Sequence, residues 1–117
     1  MILIIDDNKD LASIFAEYLN ILGYEALAVN NGREGIEKAT EHKPDLILCD
    51  IGMEGMDGYD VARYIRNDED LKDSPLIAIS GYSSDVDVER ALDAGFDKHL
   101  SKPLDLEDIR KTVEEFI

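Results

Sequence analysis

Apolar residues fall along this chain in two alternating rhythms. Three continuous runs, Ile2 to Ile5 (ILII), Leu46 to Cys49 (LILC) and Leu76 to Ile79 (LIAI), read as strands buried on both faces. The alternating stretch 24–29 (YEALAV) and the short stretch 96–100 (FDKHL) read as two more strands. Between them the period changes to that of a helix. Over 10–22, Leu11, Ile14, Phe15, Tyr18, Leu19 and Leu22 predict one apolar stripe, with Gly23 placed as a C-terminal cap. Asn31 and Glu34, spaced as a capping box, predict a helix from there to about His42, broken by Pro44. A further helix is predicted from Tyr59 to about Arg66, with Val61, Ala62 and Ile65 inward. Ser83 or Ser84 can cap the next, which ends at Gly95. Asp105 caps the last, carrying Leu106, Ile109, Val113 and Phe116. A strand–helix unit repeated in this way predicts an α/β domain: a parallel sheet with helices on both faces.

Length and charge narrow this picture. The 117 residues suit one compact domain, 1–117, with a real core. The start MILIIDD has no basic n-region, and no apolar run approaches the ~20 residues of a membrane span. The lone cysteine, Cys49, reads as an apolar packer, and a cytoplasmic location is expected. Acidic residues number 27 against 12 Lys plus Arg, a formal net charge of −15. Direct binding to nucleic acid or an anionic membrane needs a basic face and is not expected. Most of these acids serve solubility; the question is whether a few converge.

The strand ends say that they do. Ligands of an open parallel sheet bind beyond the carboxyl ends of its strands. The first strand ends in Asp6 and Asp7, the third in Asp50 and the fourth in Ser80, while the turn after the fifth carries Lys102. Three carboxylates in close quarters repel one another, and a hard divalent cation such as Mg²⁺ offsets that with oxygen donors alone. Lys102 can reach a phosphoryl oxygen and the Ser80 hydroxyl can donate to another. The inventory suits phosphoryl transfer, which depends on positioning and charge neutralisation. Asp50, alone on its strand, is the candidate nucleophile for an acyl phosphate, and the Asp6–Asp7 pair suits the metal.

In their order along the chain, LIIDDN, DLILCDIGMEGMDG, IAIS and HLSKP resemble the receiver domain of two-component response regulators, over the whole sequence. The resemblance implies a flavodoxin-like (βα)5 fold of three layers with strand order 2-1-3-4-5. It implies that Asp50 accepts a phosphoryl group from a phosphohistidine on a sensor histidine kinase or histidine phosphotransfer protein. It implies direct Mg²⁺ ligands in Asp7, Asp50 and the carbonyl of Gly52, with Asp6 acting through water. Ser80 and Lys102 would hold the phosphoryl oxygens, and the bond before Pro103 would be cis. Such a domain signals to a downstream protein partner and is no enzyme beyond its own phosphotransfer and autodephosphorylation. HLSKP and its flank are also similar to receivers fused to hybrid histidine kinases.

Four positions depart from that pattern. Glu54 stands where the family usually has Pro, Gly52 leaves a side chain missing beside Asp50, Gly81 replaces the usual Ala, and His99 takes the place of the switching Tyr or Phe. Two other classes fit the sequence less well. A Mg²⁺-dependent small-molecule phosphatase or phosphotransferase would use an Asp-x-Asp motif and a cap domain, where this chain has Asp-Asp. A flavin binder would need a phosphate loop rich in Ser, Thr and Gly after the first strand, where this chain places acids.

Overall fold

The computed structural model of the chain describes residues 1–81 and 84–117. Strands and helices alternate as β1 (Ile2–Ile5), α1 (Lys9–Ile21), β2 (Ala26–Val29), α2 (Gly32–His42), β3 (Leu46–Asp50), α3 (Gly58–Asn67), β4 (Leu76–Ser80), α4 (Asp85–Ala94), β5 (Lys98–Ser101) and α5 (Leu106–Phe116). The strands form one parallel sheet in the order β2-β1-β3-β4-β5, as expected.

Alternation along each strand splits the core into two layers. Leu3, Ile5, Ile47, Cys49 and Ala78 face α2, α3 and α4 through Ala39, Val61, Ala62, Ile65 and Ala91. Ile2, Ile4, Leu48, Ile77 and Ile79 face α1 and α5 through Phe15, Leu19, Ile109 and Val113. Helix α4 is the most lightly held: Ala91 is its one buried residue, and Val86 and Leu92 are exposed.

The structure corrects the expected face of α1. Its buried residues are Ala12, Phe15, Ala16 and Leu19, whereas Ile14 is 50% exposed and Leu22 43%. Ala12 and Ala16 let the helix lie close to the sheet. Ile14, two residues on from Ala12, is then turned roughly 200° away round the helix axis. In α5, Ile109 and Val113 are buried as expected, but Leu106 in the first turn is exposed.

Helix ends account for the shifted strand limits. Gly23, at φ +100°, donates its N–H to Asn20, and Tyr24 donates to Leu19, so 24 and 25 complete the exit from α1 and β2 begins at Ala26. Likewise Gly95, at φ +118°, and Phe96 close α4 on Leu92 and Ala91, and β5 begins at Lys98 instead of residue 96. Asn31 caps α2 by accepting from the Glu34 N–H; the reciprocal boxes occur instead at Asp57–Asp60 on α3 and Asp105–Asp108 on α5. Ser84 caps α4, and Ser83 lies outside the described residues.

Candidate functional site

The carboxyl edge of the sheet is built from strand ends that could not stay apolar. β3 runs in the sheet between β1 and β4, so its last residue, Asp50, opens between the turns that follow its neighbours. Asp6 follows the last paired residue of β1. Both carboxylates are nearly enclosed: Asp6 is 1% exposed and Asp50 4%, while Asp7 is exposed. Carboxylate oxygens of Asp6, Asp7 and Asp50 lie within 4.8 Å of one another.

Asp6 and Asp50 are each held by local backbone. Asp6 Oδ1 accepts the Asn8 N–H at 2.9 Å, and Asn8 in turn caps α1 by accepting from Leu11. Asp50 Oδ1 accepts the Gly52 N–H at 3.4 Å. The loop after β3 is pinned where the Gly58 and Met53 N–H groups both donate to the Ile51 carbonyl. A Cβ on Gly58 would lie 2.6 Å from Ile51 Cα, so only glycine lets α3 start this close to the end of β3. Met53 and Tyr59 are buried in that core layer.

Lys102 reaches in from the turn after β5. Its Nζ is 3.3 Å from Asp50 Oδ1 and 3.7 Å from Asp6 Oδ2. The Lys102–Pro103 bond is cis, as the resemblance implied. Ser80, the last residue of β4, and Gly81 line the same cleft of about 440 Å³ with Asp7, Asn8, Asp50, Gly52 and Lys102. All six residues singled out from the sequence, Asp6, Asp7, Asp50, Gly52, Ser80 and Lys102, therefore meet at one place. His99 sits half-buried on β5, in register with Ala78 of β4.

The charge balance at this edge is negative. Three carboxylates face one ammonium. Burial drives the Asp6 carboxyl above its ordinary value of 3.8, with Asp50 and Asp7 adding repulsion against the pull of the Asn8 N–H and of Lys102. Its Oδ2 is enclosed without a hydrogen-bond partner among the described residues. A small divalent cation fits both observations: it supplies the missing charge, and it gives that oxygen a partner directly or through water. Cys49, buried beneath, stays a thiol, because burial and then the charges of Asp50 and Asp6 push its pKa well up.

Sequence reasoning passed over two participants. Asn8 was seen only as part of a motif, although its N–H holds Asp6 and its side chain starts α1. Asn30 carried no signal, and its Nδ2 donates to the Asp6 carbonyl at 3.0 Å.

A flavodoxin-like sheet with acids, a hydroxyl and a lysine gathered at its carboxyl edge defines a class of α/β domain that can hold a cation against an anionic group. Residues 2–114 match the model of the response regulator receiver domain, and the chain belongs to that family, the signalling domain of two-component systems. It is 30% identical over 116 residues to the polar-differentiation response regulator DivK of Brucella anthropi, across 99% of this chain and 94% of that one. Its fold is similar to that of Vibrio cholerae chemotaxis protein CheY4, with a TM-score of 0.93, 25% identity and coverage of 99% and 97% of the two chains. The receiver domain of a Pseudomonas aeruginosa sensor histidine kinase, solved with a magnesium ion coordinated in its active site cleft, is also similar. There the TM-score is 0.88, identity 29%, and coverage 98% and 94%. No helix among the described residues is long and apolar enough to cross a membrane.

Proposed function

We propose that the chain acts over residues 1–117 as one phosphoaccepting receiver, taking a phosphoryl group from a phosphohistidine onto Asp50. The observation that carries this reading is the Asp50 carboxylate itself. It is almost enclosed at the end of β3, yet it opens into the cleft 3.3 Å from the Lys102 ammonium. An Asp50 oxygen attacks phosphorus, the P–N bond to the partner's imidazole breaks with its electrons going to nitrogen, and an acyl phosphate forms. The Lys102 ammonium and the Ser80 hydroxyl, both lining the cleft, would receive phosphoryl oxygens.

Asp7, Asp50 and the Gly52 carbonyl would hold Mg²⁺, with Asp6 joined through water. The ion supplies charge screening between the cluster and the incoming phosphoryl oxygens. The magnesium reported in the cleft of the Pseudomonas relative supports this assignment. Hydrolysis of the acyl phosphate is the only further turnover proposed.

The donor would be a sensor histidine kinase or a histidine phosphotransfer protein. A mainly apolar cleft of about 370 Å³ adjoins the site, lined by Leu11 and Phe15 of α1, Ile79, Pro103 and Leu104, with Asn8 and Lys102 at its shared edge. A helical partner seated there would bring its phosphohistidine over Asp50. Phosphorylation draws Ser80 and Lys102 toward the new anion and shifts the face of α4, β5 and α5 that a downstream protein partner reads. A cytoplasmic site of action suits the buried thiol of Cys49.

The test is incubation with phosphoramidate and Mg²⁺, read by intact mass. A gain of about 80 Da is expected, and none in Asp50→Asn. Persistence of the adduct in that variant would reject the assignment.

A further inference from the structure

The geometry points to Asn30 as a positioning residue for the divalent cation, a role that rests on the metal reading above. Asn30 lies between the last residue of β2, Val29, and the cap of α2, Asn31. It is remote from the carboxylates in sequence and has no place in the chemistry. Its contribution runs through the main chain.

The parallel ladder between β1 and β2 ends at the pair Ile5 and Val29. One more bond continues it, from the Asp6 N–H to the Val29 carbonyl at 3.1 Å. The chain then leaves the sheet toward α1, and the Asp6 carbonyl has passed the last strand residue of β2. The Asn30 carboxamide replaces that partner, with Nδ2 donating to the Asp6 carbonyl at 3.0 Å. Both main-chain polar groups of Asp6 are thus tied to the end of β2.

That tie sets the direction of the next residue. The Asp6 carbonyl and the Asp7 N–H belong to one rigid peptide plane. Holding the carbonyl therefore fixes the plane from which Asp7 departs. Asp7 is exposed, whereas Asp6 is enclosed and further held by the Asn8 N–H. Of the two acids, Asp7 has the least to orient it besides the plane that Asn30 fixes. Loss of the bond lets this peptide turn, and the Asp7 carboxylate spreads over positions that no longer meet Asp6 and Asp50. Groups that hold metal ligands in this manner typically change affinity by 10-fold or more when removed.

The test is Mg²⁺ binding by titration calorimetry on the whole chain, with urea unfolding alongside. Asn30→Ala and the similarly sized Asn30→Leu should each weaken Mg²⁺ binding by about 10-fold while remaining folded. Asn20 provides the control. Its carboxamide both donates to the Ala26 carbonyl and accepts the Ala26 N–H, at the opposite end of β2. Asn20→Ala should lower the urea midpoint and leave Mg²⁺ affinity unchanged.

Unchanged affinity in both Asn30 variants overturns the inference and leaves the metal reading intact. Equal weakening in Asn20→Ala overturns it too, because general loosening of β2 would then suffice. Absence of Mg²⁺ uptake by the unaltered chain defeats the metal reading and this inference together.

Discussion

The Lys102 ammonium stands 3.3 Å from Asp50 Oδ1 and enters the acidic cluster from the far end of the chain. It occupies the approach that a cation or a phosphoryl oxygen would use. On the proposed function Lys102 would have two opposed effects: it would compete with a metal ion for the carboxylates, and it would attract the phosphoryl group. Lys102→Ala separates them. Mg²⁺ affinity should rise several-fold as the competing charge goes, while the rate of phosphorylation by phosphoramidate should fall by about 10²-fold. Calorimetry and timed mass spectra read the two quantities independently.

Asp6 is expected to weaken the metal-free fold. Its carboxylate is enclosed, repelled by Asp50 and Asp7, and leaves one oxygen without a hydrogen-bond partner among the described residues. Asp6→Asn should raise the metal-free unfolding free energy by roughly 1–2 kcal/mol and reduce the stabilisation that Mg²⁺ adds. The pH dependence follows from the same group. Its folded pKa lies above the unfolded value, so the folded state binds the proton more tightly. The penalty is therefore present at neutral pH and is relieved as pH falls through the folded pKa. Urea midpoints without metal should show a rising contribution toward acid in the unaltered chain that Asp6→Asn lacks.

Gly58 tests how closely α3 must approach β3. Its missing Cβ would press on Ile51 Cα at 2.6 Å and on the Asp50 carbonyl oxygen at 2.7 Å, both main-chain atoms with no rotamer to yield. Gly58→Ala should cost about 2–3 kcal/mol in urea unfolding and slow phosphorylation, since the displaced segment carries Asp50.

Gly52 offers the opposite case. A Cβ there meets nothing within 4 Å, and the residue lines the cleft beside Asp50. Gly52→Leu should change stability by no more than about 0.5 kcal/mol yet slow both phosphorylation by phosphoramidate and loss of the adduct. A fall in urea midpoint without a change in either rate would contradict this account.

The strand ends were readable because their signal is one of contrast. Uninterrupted apolar runs stop abruptly at Asp6, Asp50 and Ser80, and a parallel sheet brings such stops to one edge. The α1 face was legible at Phe15 and Leu19 but not at its edges, because side-chain size alone does not mark burial. Alanines at 12 and 16 are what allow contact with the sheet, while Ile14 points outward. The opening of α2 was half readable, since Asn31 does cap it while Glu34 contributes only its N–H. Asn30 was not readable at all, because it acts on a main-chain carbonyl 24 residues away, a group that every residue shares. The tight start of α3 was equally hidden, as the need for glycine at 58 arises only once β3 and the loop after it are folded together.

Helix α4 rests on the sheet through a single enclosed methyl group, that of Ala91. Sliding or tilting it exposes little oil to water, whereas moving α1 or α3 would uncover several large side chains at once. On the proposed function, a message arriving at Asp50 would travel outward along the line of least mechanical resistance, toward this lightly held helix.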